Sequence, residues 1–204
     1  MSVVLDRLYN LHWVSRDVAR AAQPYLGFYG PFLKGHGFRS LINLRGENAG
    51  QPWWQAEKDL TARLGIAHFD VRLSSRNLPS RAALAALFDA FERAPGPVIL
   101  KCAGGQDRSG LASALYILRE LGPAGLTRAQ RQFAFWPYLH RPKRHQSWLR
   151  HFPGYAAVEG GNDVASWTRG GYDPDRFAAW LAEHGLKHSF AHIQTEDGQV
   201  ETAG

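Results

Sequence analysis

Residues 95–118 constrain the chain more than any other stretch. A Pro95-Gly96-Pro97 breaker precedes Val98, Ile99, Leu100 and the alkyl stem of Lys101, four positions that read as a short buried strand. A loop follows, Cys102-Ala103-Gly104-Gly105-Gln106-Asp107, and then Leu111, Leu115 and Leu118 recur at helical spacing with Ala112 and Ala114 between them. Strand, loop and helix in this order lead to an α/β layer, and other segments agree. Phe38 to Leu44 and Ala67 to Leu73 read as strands, with Trp53, Ala56, Leu60 and Leu64 marking a helix between them. Pro79 to Arg93 reads as a helix leading into the Val98 strand, and Thr127 to Phe135 as another. Asp173-Pro174 suits the cap and first turn of a last helix, with Phe177, Trp180 and Leu181 inward. The expected fold class is α/β, a central sheet flanked by helices.

The loop is suited to an anion. Gly104 and Gly105 allow successive amides to turn inward, and the following helix adds the positive end of its dipole. The expected phosphate-binding set is Ala103, Gly104, Gly105, Gln106, Asp107 and Arg108. Cys102 is the one cysteine of the chain. An ordinary thiol, with a pKa of about 8.5, is mostly protonated at neutral pH, whereas one facing a helix N-terminus and an arginine is lowered and becomes a standing nucleophile. Arg108 offers a planar fork matched to two phosphoryl oxygens. Ser109 can donate a hydrogen bond to the sulfur and make the thiolate a better leaving group. Ligands of open α/β sheets collect at the carboxyl ends of strands, which is where Cys102 falls.

The pattern Cys102-x-x-Gly105-x-x-Arg108-Ser109 resembles the active-site loop of the cysteine-dependent protein tyrosine phosphatase superfamily, of the dual-specificity type. Leu11-His12-Trp13-Val14-Ser15, Arg20-Ala21-Ala22-Gln23-Pro24 and Leu41-Ile42-Asn43-Leu44-Arg45 are similar to the N-terminal half of small bacterial members, so the resemblance spans Asn10 to Tyr116. The low-molecular-weight tyrosine phosphatases share the loop but carry it near the chain start. The resemblance implies a dual-specificity-phosphatase-like fold with the nucleophile loop between a strand and a helix. It also implies hydrolysis of a phosphate monoester through a cysteinyl-phosphate, with phosphotyrosine protein, a phosphoinositide or an inositol phosphate as substrate.

The chain departs from the family pattern twice. Lys101 stands where the family has a histidine that orders the loop, and Leu73 to Ser80, where the family commonly supplies an aspartic acid as general acid, contains no carboxylate. A positioned acid is worth about 10² to 10⁴-fold in ester cleavage. Asp107 ranks first for that role, because some phosphatases with an Asp-Arg pair at this point resemble it; Asp70, at a strand end, ranks second. The plainer alternatives are an Asp107 that pairs with Arg108 or another base and only stiffens the loop, and an Asp70 that is a solvated strand carboxylate. Gln106 is a candidate for orienting water, although related phosphoinositide-directed loops often carry lysine there. Lys101 and the missing acid together motivate a competing reading, a catalytically weak phosphate-binding module or pseudophosphatase.

At 204 residues and 45% apolar, one domain is expected over 1–187, with 141–187 as a C-terminal helical extension and 188–204 as a loose tail. The formal charge of +6 favours an acidic ligand, a phosphorylated protein or small molecule. The densest positive stretch runs from Leu139 to His151; it reads as a solvated surface, with a rim for a polyanion or a contact with anionic lipid left open. Nucleic acid is not an expected partner, since aromatics are too sparse for a stacking platform. No metal and no cofactor is expected. His188 and His192 stand four apart without glutamate beside the first, and His140, His145 and His151 are assigned to the basic surface. No apolar run approaches a membrane span, no leader is legible, and a single cysteine suits a reducing compartment, so a cytoplasmic location is expected.

Overall fold

In the computed structural model, residues 3–24 and 27–195 are described. Among the described residues, five strands form one sheet in the order β1-β2-β5-β3-β4: β1 (His12–Trp13), β2 (Val18–Ala21), β3 (Ser40–Asn43), β4 (Ala67–Asp70) and β5 (Val98–Lys101). Only β1 runs antiparallel to its neighbour. The central β5 aligns Ile99 with Ala19 and Leu41, and Leu100 with Arg20 and Ile42. Strand alternation then sorts the side chains into two cores. Ala19, Leu41 and Ile99 meet Tyr29, Phe32 and Leu33 on one face, while Ile42, Leu100 and Cys102 join Leu84, Leu87, Leu111 and Leu115 on the other. Because both faces are covered, the parallel strands read as continuous apolar runs rather than alternating ones.

Helices α1 (Val3–Leu8), α2 (Tyr29–Gly35) and α3 (Pro52–Leu64) supply the first core, and α4 (Arg81–Arg93) and α5 (Asp107–Leu121) the second. Local chemistry sets their ends. The Ser80 hydroxyl accepts from the Ala83 amide at 3.1 Å to cap α4. Pro52 opens α3, and Gly65, at φ 66°, closes it in the left-handed region. The expected helix over Thr127–Phe135 is a short α6 (Leu126–Gln130) continuing as a 3₁₀ turn to Phe133. A 3₁₀ segment (Arg144–Arg150), α7 (Phe152–Gly160), a single turn α8 (Val164–Ser166) and α9 (Pro174–Glu183) complete the chain. Trp148, Phe152, Tyr155, Phe177 and Leu181 belong to the same apolar cluster as α4 and α5, so these C-terminal elements are built into the main core.

The loose tail expected from residue 188 needs correcting. The amide of Ala191 donates to the Arg76 carbonyl and that of Leu78 to the His192 carbonyl, and the Gln194 side chain donates to the Arg72 carbonyl. Backbone groups of segment 72–78 that no sheet neighbour satisfies find their partners there. The remainder of that tail, 196–204, lies outside the described residues. No helix among the described residues is long and apolar enough to cross a membrane.

Candidate active site

Cys102 is the first residue beyond the carboxyl end of β5, and α5 begins at Asp107. The loop between them is tied from behind. The Gln23 amide donates to the Ala103 carbonyl at 3.1 Å. Asn10 Nδ2 donates to the carbonyls of Gly104 and Gly105 at 3.3 and 3.4 Å, and Arg20 Nη2 to those of Gly105 and Gln106 at 3.0 and 2.8 Å. Since a peptide's N–H points opposite to its C=O, drawing the carbonyls backward turns the amides toward the cup. Gly105, at φ 67°, is required here, because a Cβ on it would lie 2.6 Å from the Ala22 nitrogen.

Arg20 is fully buried on β2, with Nη1 2.7 Å from the Gln132 carbonyl and its guanidinium 4.2 Å over the Tyr138 ring. Burial lowers it to about 10, which leaves it cationic at neutral pH, a second positive charge behind Cys102 besides Arg108. Asn10 and Arg20 went unmarked as site residues in the sequence. The only signal was the phrase Arg20-Ala21-Ala22-Gln23, whose charge in an apolar strand gives no hint of its partners.

Cys102 is buried, with Sγ 3.6 Å from Ser109 Oγ. Burial by itself raises the thiol; the Arg108 guanidinium, the Ser109 hydroxyl and the amides of Ser109 and Gly105 outweigh it and bring the thiol below its ordinary value. The buried Nε of Arg108 has no hydrogen-bond partner among the described residues. Iodoacetamide is therefore expected to alkylate Cys102 with a pH midpoint below the ordinary thiol value of about 8.5. Arg108→Ala should move the midpoint upward, and a midpoint unchanged by that substitution would remove Arg108 as the cause.

Lys101 points to the opposite face of the sheet from Cys102, as strand alternation requires. Its Nζ lies 2.7 Å from Glu57 Oε1 and donates to Gln23 Oε1 at 2.5 Å, in full burial. The other Glu57 oxygen accepts from Gln23 Nε2 at 3.0 Å and the Tyr29 hydroxyl at 2.9 Å. Burial pulls the Lys101 ammonium down to about 8 against the attraction of Glu57. Burial would raise Glu57, but the hydrogen bonds from His68, Lys101 and Gln23 hold it at about 2. Lys101 thus ties β5 to α3, and the outward carbonyls of the loop are held by Asn10 and Arg20 instead.

Asp107, in the first turn of α5, does not pair with Arg108. Its Oδ2 accepts from Gln146 Nε2 at 3.2 Å, and its Oδ1 lies 3.1 Å from His140 Nε2. His140 is fully buried, which corrects its assignment to the basic surface. Asp70 accepts from Asn43 Nδ2 at 2.6 Å and Trp54 Nε1 at 3.0 Å, and lines a separate hollow with His68 and Arg93. It ties the edge strand to α3 and does not line the loop cleft.

That cleft, about 400 Å³, is lined by Arg45, Arg72, Arg76 and Arg108 with Ala103, Asn48, Ser74, Ser75 and Gln194. The acid-free segment after β4 contributes Ser74, Ser75 and Arg76 to it. Arg141, Lys143 and Arg144 of the basic stretch are exposed but do not line this cleft. Apart from Arg108, its cations come from segments 45–48 and 72–76, where the sequence shows no dense positive run.

No protein-family model matches the chain, and no curated protein matches it. Among solved structures, the chain is similar to the core catalytic domain of the PP-IP phosphatase Siw14 from S. cerevisiae, in complex with citrate. The TM-score is 0.54 at 20% identity, covering 87% of this chain and 93% of that one. It is also similar to a candidate phosphatase (DUF442) from Shewanella putrefaciens CN-32, with a TM-score of 0.53 at 16% identity, covering 76% of this chain and 97% of that one. At such identities the likeness is one of fold, and the fold is the expected one: a dual-specificity-phosphatase-like sheet between helices, with the cysteine loop joining strand and helix.

Proposed function

We propose that the chain is a cysteine-dependent phosphatase that hydrolyses phosphate monoesters through a cysteinyl-phosphate. The observation that carries this reading is a lowered, buried Cys102 thiol at the floor of a loop whose carbonyls are drawn backward by Asn10, Arg20 and the Gln23 amide. Catalytic roles fall to Cys102, Asp107, Arg108 and Ser109. The thiolate attacks phosphorus in line, while the loop amides of 103–108 and the Arg108 fork take up charge on the equatorial oxygens. Asp107 protonates the departing oxygen. Water then attacks the cysteinyl-phosphate, Asp107 takes its proton, and the Ser109 hydroxyl stabilises the departing thiolate. The pseudophosphatase reading drew on Lys101 and on the missing acid of segment 73–80; the brace from Asn10 and Arg20 answers the first motive, and the role given to Asp107 answers the second.

Among the substrates that the family resemblance left open, phosphotyrosine protein and phosphorylated inositol compounds, the cleft favours the second. Phosphotyrosine brings one phosphate and an aromatic ring. Three arginines beyond Arg108 and a lining that is mostly polar suit a small molecule with several phosphates. The name of Siw14, a PP-IP phosphatase, supports the same choice. Arg76→Ala is expected to raise KM for an inositol polyphosphate by about 10-fold, the worth of a charge-assisted hydrogen bond, and to change KM for a simple aryl phosphate less than about 2-fold. Phosphate release measured with chelator present reads both. Equal effects on the two substrates would remove the polyphosphate assignment and leave the phosphatase reading standing.

A further inference from the structure

We propose that His140 is a positioning residue that keeps one proton on the Asp107–His140 pair, the proton that Asp107 delivers to the leaving oxygen. The proposal rests on the phosphatase reading above. His140 sits in full burial, with its ring edge-on to Phe133 at a centroid distance of 5.2 Å. Its Nδ1 lies 3.1 Å from the Phe133 carbonyl oxygen. A carbonyl oxygen only accepts, so that contact keeps a hydrogen on Nδ1 whatever the charge of the ring. Nε2 is then either a lone pair or the second N–H of an imidazolium.

Nε2 is buried, makes no regular hydrogen bond, and faces Asp107 Oδ1 at 3.1 Å. A lone pair held against an ionised carboxylate oxygen is repelled, and burial removes the water that would screen it. One proton, on Oδ1 or on Nε2, turns the repulsion into attraction. The second carboxyl oxygen is held independently: Gln146 Nε2 donates to Oδ2 at 3.2 Å and to Ser75 Oγ at 3.0 Å. The carboxyl group is thereby fixed at both oxygens on the first turn of α5.

The proton then balances across the cycle. In the first step the S–P bond forms from the thiolate lone pair and the P–O bond breaks toward the leaving oxygen. That oxygen takes the proton of the pair, leaving Asp107 ionised and His140 neutral. In the second step a water oxygen attacks phosphorus, and the S–P electrons return to sulfur. The water's proton goes back to the pair, relieving the lone pair of Nε2 from its carboxylate neighbour. His140 touches neither substrate nor phosphorus at any point.

The test uses aryl phosphates with good and poor leaving groups, turned over by wild type, Asp107→Asn, His140→Phe, His140→Gln and the Asp107→Asn/His140→Phe double variant. Loss of all aryl phosphate turnover in Cys102→Ser tests the phosphatase reading separately. His140→Phe is expected to lower kcat/KM, which reports the first step alone, by about 10- to 100-fold for phenyl phosphate and by less than about 3-fold for a dinitrophenyl phosphate, the signature of a lost general acid. The double variant should be no slower than Asp107→Asn alone to within about 2-fold, because two members of one unit are not additive. Unchanged affinity for inorganic phosphate establishes that the loop is intact, and His140→Gln supplies the same comparison if the phenylalanine variant does not fold. Equal slowing of good and poor leaving groups, no slowing of either, or multiplicative losses in the double variant would overturn the proposal.

Discussion

Cys102→Ser is expected to reduce phosphate release from every substrate by at least about 10⁴-fold while leaving the affinity for inorganic phosphate within a few-fold of wild type. The two effects separate because nucleophile and cup are built from different atoms. The hydroxyl that replaces Sγ stays protonated at neutral pH, so the attacking lone pair that Arg108 and Ser109 draw out of the thiol is lost. The cup is made of amides set by Asn10, Arg20 and the Gln23 amide, and none of those contacts involves the sulfur. Phosphate release and calorimetric titration with phosphate, on the same preparations, measure the two properties. Turnover that survives the substitution would place the nucleophile elsewhere. Loss of phosphate affinity together with turnover would mean that the sulfur helps to shape the loop.

Glu57→Gln is expected to cost about 3 to 5 kcal/mol of folding stability near neutral pH, because it leaves the Lys101 ammonium buried without its counter-charge. The cost should depend on pH in a defined direction. Glu57 is lowered on folding from 4.5 to about 2, so the stability it contributes is fully present above the unfolded value and is lost as pH falls through the folded one. The gap between wild type and Glu57→Gln should therefore narrow by about 2 kcal/mol between pH ~6 and pH ~3. Urea denaturation at both pH values reads the gap. A deficit that stays constant across that range would mean that Glu57 stabilises by packing and neutral hydrogen bonds alone.

The strand, cysteine loop and helix were legible because their evidence is local: a breaker, an apolar run, two glycines, then leucines at helical spacing. Strands β1 and β2 were not. Two and four residues are too short to show a period, and β2 carries Arg20, a residue type that is almost never fully buried unless paired. Its partners are carbonyls of the loop and of Gln132, distant in sequence and invisible to any window. His140 misled for a related reason. Arg141, Lys143 and Arg144 follow it closely and suggest a solvated face, yet the Phe133 carbonyl and Asp107 decide its environment. Lys101 could be placed on the face away from Cys102 by alternation, but Glu57, on another helix, could not be named as its partner. The same holds for residues 188–195, where the apolar pattern fades and backbone hydrogen bonds to segment 72–78 do the holding.

The measurement that bears most directly on the central claim is acid quenching of wild type during turnover, followed by mass spectrometry of the peptide that contains Cys102 and Ser109. A phosphoryl group on Cys102, absent without substrate and absent in Cys102→Ser, is the expected result. A phosphoryl group on Ser109 or on any histidine, or steady phosphate release with no protein-bound phosphoryl group at any quench time, would contradict it.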